Sequence, residues 1–338
     1  MIHPTAIVSP RAIVHSSVEI GPFSVVEAEA VIGQGCKLAG RTTIKGHTIL
    51  GREVVVGEGA VLGGLPQHIS PPERPGRVIV GERTVIRENV TIHRAMATEG
   101  ETRVGSDCLM MAGSHAAHDV RVGNRVIITN NVLLGGHVQV GDRAVLGGAA
   151  AVHQFCRVGR LAMIGACAKV VQDVPPFVLT DGEMAMIVGL NKVGLRRSGM
   201  TREEIDELKA AYRVIYRQGM LFDEMLAALT AAYTTGPAAE FGEFFRSGKR
   251  GFVQERRSPP KAAIRIHPAA DELDDAEDRG ERQRPAQGAA IVGPVRPVVV
   301  RMHGGEVFPI GGGLSIGEQS AVSAQPSAPP AQRPPADS

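Results

Sequence analysis

The chain has 338 residues, with 37 basic side chains against 35 acidic ones and a net charge of +2 at neutral pH. A charge so balanced, with no block of Lys and Arg, argues against nucleic acid as a partner, and no run of about 18 apolar residues exists to form a membrane-spanning helix. Met1-Ile2-His3-Pro4 lacks the basic region and apolar core of a secretion signal, so a cytoplasmic protein is expected; the four cysteines, without CxxC spacing, are expected to be reduced and structural.

From Ile2 to Val170 every sixth residue is aliphatic, beginning Ile2, Val8, Val14, Ile20, Val26 and Ile32, with Met110 and Ala116 its weakest members. The series breaks only at His68, Arg74 and Thr98. These fall in stretches rich in Pro, Gly, Glu and Thr, which read as inserted loops near 66–79 and 97–103. A period of six fits neither a helix nor a single strand; it belongs to a coil of three short strands, each advancing six residues. Residues 1–180 are therefore expected to form an all-β domain, a parallel β-helix of hexapeptide repeats. Each hexad buries one aliphatic side chain only by stacking on its neighbours. The residue four places later is usually small, as in Ser24, Cys36, Thr42, Ala60, Cys108 and Ala144, which suits a corner. Gly often follows the aliphatic residue (Gly21, Gly33, Gly57, Gly81, Gly105, Gly123, Gly141, Gly159), and the expectation is that it permits a backbone conformation closed to other residues.

Beyond the prism the period changes. Thr201 to Glu204 reads as a capping box, and Ile205, Leu208, Ala211, Tyr212, Ile215 and Tyr216 recur at helical spacing. A second helix is expected over Phe222 to Tyr233 and a third around Phe241 to Phe245, so residues 181–257 are expected to form a small α-helical domain. Residues 258–338 hold 12 of the 22 prolines, Ala and Gly runs and the acidic stretch Asp271 to Glu281. That composition predicts a largely disordered tail.

Chemistry is expected where the histidines gather. His115, His118, His137 and His153 fall within two and a half coils. Three hexads make an 18-residue coil, so residues 18 apart stack about 4.8 Å from each other. His118, Gly136 and Gln154 form one such column, and Asp119 and His137 the next. His118 is placed to act as a general base, with Asp119 or a carbonyl fixing its tautomer. The N–H of Gly136, unshielded by a side chain, can donate to a developing oxyanion. The set describes acyl transfer without a covalent intermediate. Zinc chemistry on the γ-carbonic-anhydrase pattern and a non-catalytic solenoid scaffold are the competing classes.

The strings Val90-Thr-Ile-His-Arg94, Ala117-His-Asp119, Gly135-Gly-His137, Val152-His-Gln-Phe-Cys156, Gln172-Asp-Val-Pro-Pro176 and Gly194-Leu-Arg-Arg197 resemble those of the acyl-carrier-protein–UDP-N-acetylglucosamine O-acyltransferases, which open lipid A synthesis. The resemblance runs from Met1 to about Phe252. It implies a left-handed β-helix, a homotrimer with sites between neighbouring prisms, and a 3-hydroxyacyl chain delivered on the phosphopantetheine of acyl carrier protein, with no separate cofactor and no metal. It further implies His118 as base, Asp119 as its support and Gly136 as oxyanion donor. By the same resemblance His115, His137, His153 and Gln154 contact substrate, and Asn191 and Arg197 meet the nucleotide.

Departures from the family pattern bear on the acceptor. Where the family has Pro-Gln-Asp-x-Lys, this chain has Pro66-Gln67-His68-Ile69-Ser70, which places His68 and Ser70 at sugar-binding positions without the carboxylate and the lysine. Val193 stands where the family usually has Glu, and Ser198 ends its basic triplet. A modified UDP-amino sugar is therefore an alternative acceptor, with Arg74, Arg77 or Lys192 available to compensate. Met163, Ala166 and Met184 match the wall that measures the acyl chain. Arg103, Arg121 and Arg157, in one column interrupted by Gln139, are expected to offer acidic carrier protein a basic surface, with Arg125 stacked on Arg143 beside it.

Overall fold

The computed structural model describes residues 1–256. Two-residue strands recur every six residues and pair in parallel with the strand one coil away, as in Val25↔Thr43 and His115↔Leu133. They build three sheets of nine, eight and ten strands around one interior, the architecture of a β-helix. The first sheet carries Thr91–His93, His115–Ala116, Leu133–Leu134 and Ala151–Val152; the second carries Arg121–Val122, Gln139–Val140 and Arg157–Val158. From Ile20 to Val170 every aliphatic member of the six-residue series is at most 4% exposed. Each such side chain contributes roughly 1.5–3 kcal/mol of burial, which no coil could realise alone. Ile2, with no coil beneath it, is 49% exposed.

Val61 pairs with Thr91, and Thr91 with His115, so the two insertions add about 12 and 6 residues to a coil of about 18. Whole hexads keep the inward face inward. The loops are tighter than the sequence pattern predicts, because residues 77–79 and 101–103, placed in loops by their composition, belong to the strands Arg77–Val80 and Glu101–Val104, which pair with each other in the second sheet. Val78, Val80, Thr102 and Val104 point inward and are buried; their alternation outweighs the polar residues between them.

The glycine expectation is corrected. None of the eight glycines named above has positive φ; of the others that follow an aliphatic member of the series only Gly63, where the first insertion begins, does, at φ 87°. Their role is close approach: a Cβ on Gly21 would lie 2.7 Å from the carbonyl carbon of Ala39, and one on Gly141 would lie 2.6 Å from the backbone nitrogen of Arg160, both in the next coil. The left-handed residue is the third after the aliphatic one, occupied by Phe23, Asp107, Asp119, Arg125, His137, Ala149 and Phe155 among others. The small side chain that follows points inward, where Ser24 Oγ donates to the Ala39 carbonyl at 2.8 Å and Cys36 Sγ to that of Gly51 at 3.0 Å.

The sheet outlasts the hexads. Val178–Asp181 and Met186–Leu190, within or beside the segment expected to be helical, form an antiparallel hairpin that extends the third sheet. Pro175-Pro176 ends the six-residue frame, so periodicity gives no signal for the hairpin. Helices α1 (Lys192–Arg197), α2 (Arg202–Arg217), α3 (Phe222–Ala232) and α4 (Gly236–Arg246) follow. The Thr201–Glu204 capping box opens α2, and α1 is too short for periodicity to reveal. Phe241 of α4 meets Phe177 edge-on at 5.5 Å, both fully buried, and fastens the helices to the prism. The chain then returns to the sheet, where Phe252 bridges Asp173 and Glu255 bridges Ile187. The expectations for 258–338 lie outside the described residues.

Candidate active site

The corner between the first and second sheets carries the histidine column. Asp119, His137 and Phe155 occupy its left-handed position in three successive coils, at φ 60°, 60° and 65°. Such a conformation costs a non-glycine residue about 1 kcal/mol or more, and the stacked coils impose it. The His137 N–H donates to the His118 carbonyl at 3.0 Å, and that of Phe155 to the Gly136 carbonyl at 2.9 Å, so the corner is fixed before any side chain acts.

His118 is 8% exposed, and its Nδ1 meets Asp119 Oδ2 at 2.9 Å. The same carboxylate oxygen accepts the Met96 N–H at 3.1 Å, while the Asp119 N–H donates to Thr102 Oγ1 at 2.8 Å. A carboxylate only accepts, so Nδ1 is the donor in this contact, and in the neutral imidazole the lone pair is on Nε2. That nitrogen faces Gly136: a Cβ built there would lie 2.8 Å from Nε2 and 2.7 Å from Cε1 of His118. Only glycine leaves the ring its place. Among the described residues the Gly136 N–H has no hydrogen-bond partner.

His137 meets His118 edge-on at 5.2 Å, stacks on Phe155 at 4.5 Å, and brings Nε2 to 3.7 Å from Asp119 Oδ2. His68 approaches His118 from the inserted loop, ring to ring at 6.0 Å. Ser70 steadies it through backbone atoms 3.1 Å from His68 Nδ1. His118, Asp119 and His137 also each offer one potential metal donor atom, all within 4.8 Å of one another. The 2.9 Å hydrogen bond already couples two of those three.

His115 stands on the first sheet's outer face, in a groove of about 490 Å³ whose lining includes Gln67, Leu133, Gly135, His153 and Lys169. It shares a 2.8 Å hydrogen bond with Thr91 Oγ1 and meets the His93 ring at 5.1 Å. Burial, with His93 second, depresses its pKa to about 4, so it is neutral at physiological pH. His93 was not among the expected site residues. It donates from Nδ1 to the Leu65 carbonyl at 2.6 Å, pinning the loop that carries His68, and burial likewise lowers its pKa. The hexad frame, counted through the six-residue insertion, sets Thr91 under His115 and so reveals His93.

The other expected residues divide. His153 and Gln154 are exposed beside the corner, with His153 Nδ1 on the Gln154 carbonyl at 3.1 Å. Met163, Ala166 and Met184 are exposed on the third sheet, at the corner it shares with the first, and beside Lys169. Arg197 is exposed on α1. Asn191 is 6% exposed and caps α1: its Oδ1 accepts from the Gly194 N–H at 3.0 Å and its Nδ2 donates to the Leu161 carbonyl at 2.9 Å. Its visible role is to dock that helix. Arg157 leaves the expected basic column, because Asp173, Ser247 Oγ and the Phe244 carbonyl bind its guanidinium at 2.7–2.9 Å.

Residues 173–253 match the model of the UDP-N-acetylglucosamine O-acyltransferase domain 2 family. Over the prism and helices together, the chain is 35% identical to the UDP-N-acetylglucosamine O-acyltransferase of Moraxella catarrhalis, with a TM-score of 0.73 over 75% of this chain and 99% of that one. This chain belongs to the UDP-N-acetylglucosamine O-acyltransferase family. The Francisella novicida UDP-N-acetylglucosamine acyltransferase is 33% identical, with a TM-score of 0.74 over 79% of this chain and 100% of that one. That of Arabidopsis is 32% identical, with a TM-score of 0.67 over 75% and 100%. Family membership makes the chain an acyltransferase, and no helix among the described residues is long and apolar enough to cross a membrane.

Proposed function

We propose that this chain transfers a 3-hydroxyacyl group from the phosphopantetheine thioester of acyl carrier protein to the 3-position of UDP-N-acetylglucosamine, or of a closely similar UDP-amino sugar, in the opening step of lipid A synthesis in the cytoplasm. The observation that carries the reading is the clamp of His118 Nδ1 by Asp119, which leaves Nε2 against the bare Cα of Gly136.

In this reading Nε2 takes the hydroxyl proton as the sugar oxygen attacks the thioester carbon. The Gly136 N–H, free of any other partner, receives the negative charge that develops on the carbonyl oxygen. The C–S bond then breaks, and the imidazolium returns its proton to the departing thiolate. Asp119 holds the ring and balances its charge while it is protonated. His115, neutral in its groove, serves as a hydrogen-bonding wall rather than a second base. His153, Gln154, His137 and His68 line the approach, and Arg197 offers a charge to the diphosphate.

Met163 on the third sheet and Ala166 at the corner it shares with the first lie one face and more than two coils from His118, roughly 20 Å. A second copy whose wall stands beside the catalytic corner of the first would bring both to one acyl chain, the arrangement of a homotrimer with shared sites. The test is to offer purified protein a panel of acyl carrier protein thioesters with UDP-N-acetylglucosamine and its 3-amino analogue, and to weigh the products by mass spectrometry. Absence of any acylated UDP-sugar across the panel would end the reading.

A further inference from the structure

Asp119 Oδ2 is the meeting point of three nitrogens. It lies 2.9 Å from His118 Nδ1 and 3.7 Å from His137 Nε2, and it accepts the Met96 N–H at 3.1 Å. One donor atom each of His118, Asp119 and His137 falls within 4.8 Å of the other two. Ligands on a tetrahedral ion with bonds of about 2.0–2.1 Å stand roughly 3.4 Å apart, so both measured edges are within about 0.5 Å of what such an ion requires. Two imidazoles and a carboxylate are the donor chemistry of zinc and its neighbours, whereas calcium and magnesium take oxygen ligands.

The supports that such a site needs are in place. The carboxylate is held by the Met96 amide, the His137 ring stacks on Phe155 at 4.5 Å, and Asp119 and His137 share the same left-handed corner in successive coils. The side chains of His118 and Asp119 are 10% and 16% exposed, so solvent screens a bound charge little, and His137, at 40%, leaves an entry path. His47 and Glu29, 3.1 Å apart, make the contrast: both are half exposed, and no third donor among the described residues joins them.

The acyl-transfer reading needs the hydrogen of the His118 ring on Nδ1, toward Asp119, and the lone pair on Nε2, toward Gly136. A cation bound between Nδ1 and Oδ2 takes the Nδ1 lone pair. A neutral imidazole has a single N–H hydrogen, which must then sit on Nε2. The ring gains and loses no proton, yet the nitrogen facing Gly136 turns from acceptor into donor.

We propose that His118, Asp119 and His137 bind a divalent cation of the zinc class, and that its binding reverses the His118 tautomer and switches the base off. The silencing rests on the acyl-transfer reading above; the metal site does not.

Two measurements test it, both on the full chain freed of metal by dialysis against chelator. In one, Co2+ is titrated and its visible absorption followed. One equivalent should give the intense bands of low-coordinate Co2+, Zn2+ should displace it, and Mg2+ should not. His137→Gln or Asp119→Asn should weaken Co2+ binding by at least the roughly 10- to 100-fold that loss of an outer-shell partner costs, and His47→Gln should change nothing. Absence of those bands, or bands indifferent to His137 and Asp119, overturns the site. In the other, Zn2+ near saturation should lower kcat at least tenfold while KM for UDP-N-acetylglucosamine moves less than threefold. EDTA should restore the rate, and NMR of isotope-labelled imidazole nitrogens should show the His118 hydrogen move from Nδ1 to Nε2. A rate unaffected by a filled site, or a KM rise at constant kcat, overturns the silencing. Co2+ binding in a chain that acylates no UDP-sugar keeps the metal site and refutes the acyl-transfer reading instead. Unchanged circular dichroism and melting temperature confirm that the variants are folded.

Discussion

His118 Nδ1 stands 2.9 Å from Asp119 Oδ2, and that carboxylate is itself held by the Met96 N–H from the inserted loop. Orientation of the ring therefore depends on a neighbour in the chain and on a loop from the coil below. His118→Ala should lower kcat/KM at least a hundredfold with the fold unchanged, as expected for a lost general base. Asp119→Asn keeps the shape but can present its amide nitrogen to Nδ1, favouring the wrong tautomer, and should cost tenfold or more. Steady-state rates near normal in both variants would remove the proposed base.

Gly136 is the second half of that arrangement. A methyl group there would sit 2.7–2.8 Å from two atoms of the His118 ring, closer than real Cβ contacts come. The ring is at the end of a side chain and can turn away, so Gly136→Ala should destabilise only modestly while lowering kcat by a factor of 10 to 1,000. Melting temperature and kcat measured together decide the matter. A large loss of stability with kcat intact would make Gly136 a packing residue alone.

His115 makes a pH-dependent contribution to stability. Its pKa is about 4 in the fold against 6.5 for an unperturbed imidazole, so the unfolded chain takes up a proton between those values that the folded chain refuses. The associated stability is fully present above pH 6.5 and is lost as pH falls toward 4. Between pH 7 and 5 this amounts to roughly 2 kcal/mol, and His115→Gln should flatten the dependence by about that much. Urea unfolding at the two pH values, native against variant, measures it; equal slopes would show that the ring is solvated.

Much of this site is legible in the spacing of residues because a β-helix converts sequence distance into spatial distance. Residues 18 apart become neighbours, so His118 over Gly136 and Asp119 beside His137 follow from counting. His93 escapes that count because a six-residue insertion separates it from the coil above. Asn191 reads as a nucleotide contact by resemblance, yet its side chain is occupied in capping α1 and binding the Leu161 carbonyl, a partner 30 residues away that no local pattern discloses. The hairpin of Val178–Asp181 and Met186–Leu190 lies past the prolines that end the period, where counting has nothing left to use.

The glycines were legible as a pattern but not for their cause, and substitution separates the two explanations. Gly159→Ala would drive its Cβ into the Pro176 nitrogen, a backbone atom of the next coil that cannot move aside. A loss of 2 kcal/mol or more is expected, in the range of overpacked cores. Ala149, at φ 58°, is the opposite case, since Ala149→Gly relieves a strained left-handed backbone and should be neutral or stabilising by up to about 1 kcal/mol. Chemical denaturation of both variants would expose an error if the first were harmless.

Asp173 ties the prism to the helices. It is 1% exposed and accepts the Arg157 N–H at 2.8 Å and its guanidinium at 2.7–2.8 Å, while the same guanidinium reaches the Phe244 carbonyl in the last turn of α4 and Ser247 at its end. Asp173→Ala would leave Arg157 partly buried without its counter-ion, at a cost of about 3–5 kcal/mol, whereas Arg157→Leu removes the charge that needs compensation but strands the carboxylate. The double variant Asp173→Ala with Arg157→Leu should recover part of the loss, because neither charge then remains in the interface. Because the helices are held here and by the Phe177–Phe241 contact, the helical signal at 222 nm should melt before the β signal in the single variants. One coincident transition at the native midpoint would show that the ion pair contributes nothing to the docking of the helices.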